Sequence, residues 1–317
     1  PKYCIILIMN YFHLISIIGV LLSCTYDKIP IHPYLTENIV IVVMDGPRYS
    51  ETIGDSSHQF IPHLWNDMRD SGIICTSFYN DGITFTVNGH VALTTGFYQS
   101  IDNTGLEFPA HPSIFQYWIK DHPENSTYTA LICSKDKLEV LGNTSDYQYK
   151  NKFNPPSDCG IDGNGSGYRS DSITFERVMT ALTTTKPKLL LVNFKEPDFS
   201  GHTGNWNHYL NGIKKTDAYT YQIWQYLNND SHYKGKTTFI FTNDHGRHLG
   251  NGFQHHGDGC EGCRHIFLYT QGPDFKKGML NTQHASLVDL HATIRELLHL
   301  QNSQTQGHVM FSLFKTH

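Results

Sequence analysis

The sequence predicts a layered α/β domain built on a mostly parallel sheet, and two patterns in its 317 residues predict it. Apolar runs rich in aliphatic and β-branched residues recur at 38–44, 72–78, 128–133, 188–194, 237–242 and 265–269. Continuous runs of this kind suit strands buried on both faces. Segments with helical character lie between them, and that alternation argues for helices packed on a parallel sheet.

Taken in order, residues 38–44 form the first strand, 62–69 a helix and 72–78 the next strand. Residues 113–120 read as helix and 128–133 as strand. The stretch 172–183 is amphipathic, with Ile173, Phe175, Val178, Met179 and Leu182 at helical spacing. Strand 188–194, a long helix over 208–227, strands 237–242 and 265–269 and a closing helix over 286–300 complete the pattern. One stretch departs from it. Residues 142–171 are rich in Asn, Gly, Ser, Asp and Pro, with Tyr147, Tyr149 and Phe153 interspersed. That is too long for a simple connector and reads as a lid or substrate-facing loop, a surface insertion being the alternative.

Hydrophobic content of 39% is that of a globular chain, and the length fits one large domain or two small ones. The net charge is −5, from 24 basic and 29 acidic residues, which argues against a nucleic-acid polymer as ligand. Residues 5–23 are apolar and nearly uncharged, ending at Leu21-Leu22-Ser23-Cys24. This ending resembles the bacterial lipoprotein cleavage box, which would leave Cys24 as a lipidated first residue. The alternative is a transmembrane anchor, since a span needs about 20 residues. The expected organisation is a leader or anchor over 1–23, a linker over 24–36 and the main domain over 37–317. The main domain is expected outside the cytoplasm, in the periplasm or at the cell surface, tethered to a membrane. The sequence leaves its oligomeric state open.

Beyond Cys4 and Cys24 there are five cysteines. Cys75 and Cys133 fall in strand-like runs and read as buried, inert thiols. Cys260-Glu-Gly-Cys263 has knuckle spacing, but no second cysteine pair exists to complete a four-cysteine zinc site. A local disulfide is one reading in an exported chain and a redox-active pair another, and the sequence leaves the state of both thiols open.

Chemistry is concentrated in Val-Val-Met-Asp-Gly at 42–46, Thr-Val-Asn-Gly-His at 86–90, Asp-Phe-Ser-Gly-His at 198–202, Asn-Asp-His-Gly at 243–246 and His-His-Gly-Asp at 255–258. Carboxylate and imidazole are the donors that zinc favours in catalytic sites, and a hydroxyl between two such ions becomes a nucleophile. Asp45, Asp198 and Asp244 each fall at or just beyond the end of a strand. Ligands of open α/β sheets bind at the carboxyl ends of strands, so these three can converge. Asp198 and His202 are four apart and can share one helical face. Gly246 permits the bend that the adjacent Asp244 and His245 require.

This series of motifs, from about 37 to 300, resembles the alkaline phosphatase superfamily. The resemblance implies a three-layer α/β/α sandwich with a mostly parallel central sheet. It implies two divalent ions, zinc first and manganese as the alternative. One would be held by Asp45, Asp244 and His245, the other by Asp198, His202 and His256, with Thr86 between them as nucleophile. Thr86 is favoured over Thr84 by its intervals to His90 and Gly96, and His256 over His255 by its place before the 265–269 strand. Asn103 is a candidate donor to phosphate oxygens, with a turn role as the alternative. Arg247 is a candidate clamp for a second phosphate group, or else a structural ion-pair partner.

The expected activity is hydrolysis of a small phosphate mono- or diester through a phosphothreonine intermediate. Phosphoryl or phosphoethanolamine transfer, or a sulfatase-like hydrolase of the same fold, is the alternative, and a non-catalytic metal-binding surface lipoprotein the second. Sulfate-ester hydrolysis is disfavoured, because no cysteine or serine occupies the setting that formylglycine formation needs. No His-Glu-x-x-His segment is present, and Gly235-Lys-Thr-Thr lacks the first glycine of a phosphate-binding loop.

Overall fold

The computed structural model describes residues 34–300 and 302–316. The leader expected over 1–23, Cys24 and most of the 24–36 linker lie outside the described residues. Residues 35 and 36 are tied down, since their backbone N–H groups donate to Asp274 at 2.8 and 2.9 Å. No helix among the described residues is long and apolar enough to cross a membrane.

The chain runs β1 (Asn38–Asp45), β2 (Ile73–Tyr79), α1 (Thr86–Thr95), α2 (Ile114–Asp121), β3 (Thr129–Cys133) and β4 (Ser157–Cys159). It continues through α3 (Asp171–Thr183), β5 (Leu189–Pro197), α4 (Asp198–His202), α5 (Trp206–Asn229) and β6 (Thr237–Asn243). It ends with α6 (Glu261–Arg264), β7 (His265–Gln271), β8 (Met279–Asn281), β9 (Ala285–Ser286) and α7 (Leu287–Leu297). The strands form one sheet in the order β4-β3-β5-β1-β6-β7-β2-β8, with β9 beside β2. Every pairing is parallel except those of β7, which runs against both β6 and β2. The mostly parallel sheet expected from the apolar runs is present.

Successive residues of β1 point to opposite faces of the sheet. Ile39, Ile41 and Val43 join a core cluster with Val87 and Val91 of α1, Phe115 of α2 and Ile294 of α7. Val40, Val42 and Met44 join a second one with Val178 of α3 and Tyr209, Ile213 and Ile223 of α5. These two apolar interiors make three layers, α/β/α. Each fully buried Val, Ile or Leu contributes on the order of 2 kcal/mol.

Helix boundaries follow local chemistry. Ser113 caps α2 with a capping box completed by Gln116. Ser170 and Asn205 cap α3 and α5 through their side chains. The segment expected as a lid, 142–171, is partly built into the sheet: its middle forms edge strand β4, which pairs with β3 in register Cys133↔Cys159. Its later part approaches the pocket, where the Tyr168 ring lies 5.7 Å from the Lys135 ammonium.

Candidate active site

Four neighbouring parallel strands, β3, β5, β1 and β6, end at one edge of the sheet. Each delivers a charged group there: Lys135 just after β3, Asp198 after β5, Asp45 closing β1 and Asp244 after β6. All four side chains are buried. Asp45 accepts from Lys135 Nζ at 2.8 Å through Oδ1 and from Asn193 Nδ2 at 3.0 Å through Oδ2. Asp244 Oδ1 accepts from the backbone of Gly46 and His245 at 3.2 and 3.0 Å. Its Oδ2 is buried without a hydrogen-bond partner.

Thr86 opens α1, and its hydroxyl faces the same pocket. Thr86 Oγ1 lies 3.5 Å from both Asp45 Oδ1 and His245 Nε2, and 3.0 Å from Lys135 Nζ. Thr84 faces elsewhere: its hydroxyl donates to Asp258 O at 2.6 Å, fastening the neighbouring loop.

The histidines turn their free nitrogens inward. His245 Nδ1 donates to Gly246 O at 2.8 Å, and burial drives its pKa down to about 3, so a neutral ring presents Nε2 to the pocket. His256 Nδ1 donates to Thr84 O at 2.8 Å, leaving Nε2 3.3 Å from Asp198 Oδ1 and 3.1 Å from His202 Nε2. His202 Nε2 is 3.4 Å from Asp198 Oδ1, on the more open side. His255 is exposed.

Two triads bring their donor atoms within 4.8 Å of one another: Asp45 with Asp244 and His245, and Asp198 with His245 and His256. His245 thus stands between the two sets expected from the sequence, and His202 flanks the second. Oxygen and imidazole donors, inward lone pairs and an orphan carboxylate oxygen fit divalent cations. Gly46 makes this convergence possible. Its φ is +66°, and a Cβ there would meet Asp198 Oδ1 at 2.9 Å and His245 Cε1 at 3.0 Å.

Arg247 differs from the phosphate clamp entertained above. It is fully buried, pairs with Asp198 and donates to Phe253 O and to Gln254 O, the last at 2.8 Å. Its fork is spent on the fold. Asn103 lies beside the helix start, where its Oδ1 accepts from Val87 N and Lys137 Nζ, both at 3.0 Å.

Sequence reasoning missed Lys135 and Lys137. Lys135 Nζ bridges Asp45 and Asp198, at 2.8 and 2.7 Å, one carboxylate from each expected set. Burial alone would lower its pKa, but Asp198 and Asp45 win and hold it above the usual lysine range, so it is a fixed cation. Burial raises and the nearby cationic and imidazole groups lower the Asp198 pKa; the net result lies well below the ordinary value. Burial, followed by repulsion from Lys135, brings Lys137 down to about 8. The signal available was position: both lysines directly follow a strand buried beside β5.

The chain matches the Metalloenzyme superfamily over residues 65–302 and belongs to it. Solved structures of similar fold include a murine ectonucleotide pyrophosphatase/phosphodiesterase 5, at TM-score 0.61 and 14% identity, covering 88% of this chain and 100% of that one. The lipoteichoic acid synthase LtaP from Listeria monocytogenes gives TM-score 0.61 at 13% identity, covering 87% and 74%. An alkaline phosphatase superfamily protein from Vibrio parahaemolyticus gives TM-score 0.58 at 18% identity, covering 84% and 67%. Among curated proteins, none matches the chain. The alkaline-phosphatase-like fold expected from the motifs is therefore present.

Proposed function

We propose that this chain is a phosphoric-ester hydrolase with Thr86 as nucleophile and two divalent ions, zinc by its ligand types. Asp45, Asp244 and His245 would hold one ion, and Asp198, His202 and His256 the other. When bound, the ions supply positive charge that acidifies a hydroxyl and stabilises a transferring phosphoryl group.

The observation that carries this reading is the Thr86 hydroxyl, buried at a helix start 3.0 Å from a lysine ammonium and 3.5 Å from Asp45 and His245. Its oxygen gives up its proton to solvent and forms the bond to phosphorus, while the ester oxygen leaves and takes a proton from solvent. Water then breaks the phosphothreonine bond and returns the hydroxyl. Lys135 cannot serve as the base, because its proton is held too tightly; it neutralises negative charge gathering beside the hydroxyl. The N-terminus of α1 adds backbone partial charge of the same sign. An entering anion would hold Lys137 more firmly in its charged form, against the burial and the Lys135 charge that bring its pKa down to about 8.

The 5–23 apolar run supports an exported, membrane-tethered location for this activity. Turnover of an aryl phosphate monoester and diester, with and without an acceptor alcohol, tests the reading. Hydrolysis that disappears in Thr86→Ala supports it. A product carrying the alcohol would indicate a transferase, and full activity in Thr86→Ala would overturn the nucleophile.

A further inference from the structure

Outside the pocket, the loop between β6 and β7 gathers a different donor set. His248, Asp258, Cys260 and Cys263 each place one ligand atom within 4.8 Å of the others. The sequence contains no second cysteine pair, but the fold completes the Cys260–Cys263 knuckle with an imidazole and a carboxylate. We propose that these four residues bind a structural zinc ion, separate from the centre at Thr86.

The donor chemistry selects the metal. Thiolate, imidazole and carboxylate are all zinc donors, and four protein ligands make the closed tetrahedral coordination that structural zinc takes. Thiolate ligands disfavour magnesium, calcium and manganese. Local geometry points the same way. His248 Nε2 lies 3.0 Å from Asp258 Oδ2, yet it is buried with no hydrogen bond in line. A cation between the two atoms satisfies both. Asp258 Oδ1 meanwhile accepts from Cys260 N at 3.1 Å, which orients the carboxylate. Cys260 opens the single turn α6, and the N–H groups of Cys263 and Arg264 both donate to Cys260 O at 3.0 Å. Both sulfurs therefore lie on one tight turn.

The position explains what the ion would do. Gly246 N donates to Cys263 O at 2.7 Å, one residue beyond His245. A Cβ on Gly246 would stand 2.1 Å from Gly262 O, so the knuckle rests directly on the backbone behind the pocket. Asp258 is two residues from His256, and its carbonyl accepts from Thr84, two residues before Thr86. The ion would staple the loop that presents His256 and fix it to the start of α1. This inference stands on its own residues and does not need the hydrolase reading.

Cobalt(II) loading of the full chain under reducing conditions tests it. Thiolate coordination gives an intense near-ultraviolet charge-transfer absorption, which oxygen and imidazole ligands do not. The band is expected in the parent and in Asp244→Asn, and is expected to be lost in Cys263→Ser. Should the buried Cys263 variant fail to fold, the more exposed Cys260→Ser replaces it with the same expectation. Zinc content measured alongside should fall by one ion per chain in the cysteine variants. Absence of the band in the parent, its survival in Cys260→Ser, or a Cys260–Cys263 disulfide in metal-loaded protein would overturn the proposal.

Discussion

Lys135 Nζ stands 3.0 Å from Thr86 Oγ1, so a permanent cation faces the proposed nucleophile from the neighbouring strand end. The same ammonium separates Asp45 from Asp198. Removing it should slow the reaction and also leave two buried carboxylates uncompensated. Lys135→Met is expected to lower turnover by about 10²–10³-fold, the scale for losing one charge-stabilising donor. In chelator-treated protein it should cost roughly 3–5 kcal/mol of stability, the cost of orphaning a buried ion-pair partner. Added zinc should restore most of that loss, because it supplies the missing charge. Thermal melts with and without chelator check this, and a deficit indifferent to zinc would contradict it.

Thr86→Ala is expected to abolish turnover, with a loss of at least about 10⁴-fold. Bound metal, measured by elemental analysis, should be unchanged, because the carboxylates and imidazoles remain. Thr86→Ser keeps the hydroxyl and should retain measurable activity.

His256 and His255 are adjacent, but His256 lies beside Asp198 while His255 is exposed. His256→Ala should reduce both metal content and turnover, having removed a nitrogen 3.3 Å from Asp198. The exposed His255→Ala should shift stability by no more than about 0.5 kcal/mol and leave metal content intact. The reverse result would reassign the last ligand.

Gly46→Ala combines a left-handed backbone with a direct clash on Asp198 and His245. The backbone term alone costs about 1–2 kcal/mol. A total loss of roughly 2–4 kcal/mol is expected in denaturant titration, accompanied by weaker metal binding. An unchanged midpoint would show that the two ligands do not approach Gly46 so closely.

On helix α5, Asp217 accepts from the backbone N–H groups of His63 and Leu64 at 2.8 and 3.0 Å. Burial raises its pKa from 3.8 to about 6. Between those values the unfolded chain has released this proton while the folded chain still holds it. Stability from this carboxyl is therefore full below about pH 4 and is lost as pH rises to about 6. The loss is on the order of 3 kcal/mol. Metal-free Asp217→Asn should show a shallower fall in unfolding free energy over that range. Burial raises Asp171 to about 6 as well, so some slope should remain. A parallel fall in both proteins would contradict the assignment.

Much of this site was legible because aspartates at strand ends announce themselves. Asp45, Asp198 and Asp244 could be placed once the apolar runs were read as parallel strands, since parallel strands end at a common edge. Helix α1 was not legible. Its sequence, Thr-Val-Asn-Gly-His-Val-Ala-Leu-Thr-Thr, combines β-branched residues with glycine, and all ten positions are buried, so no amphipathic stripe marks it. Lys135 and Lys137 flank an aspartate and look like a solvated turn; only the neighbouring strand ends bury them. The partners of Cys260 and Cys263 were hidden for a similar reason. His248 and Asp258 reach the knuckle through a loop whose path no spacing rule encodes. Strands β4, β8 and β9, of two or three residues each, are too short to leave a periodic signature.

Because β7 returns antiparallel to β6, the excursion between them departs from and rejoins the sheet on the same side. Lengthening, trimming or exchanging that excursion leaves strand order untouched but disturbs Asp244, His245 and His256, which it carries into the pocket. Insertions there are therefore compatible with the fold only where they leave those three side chains in place.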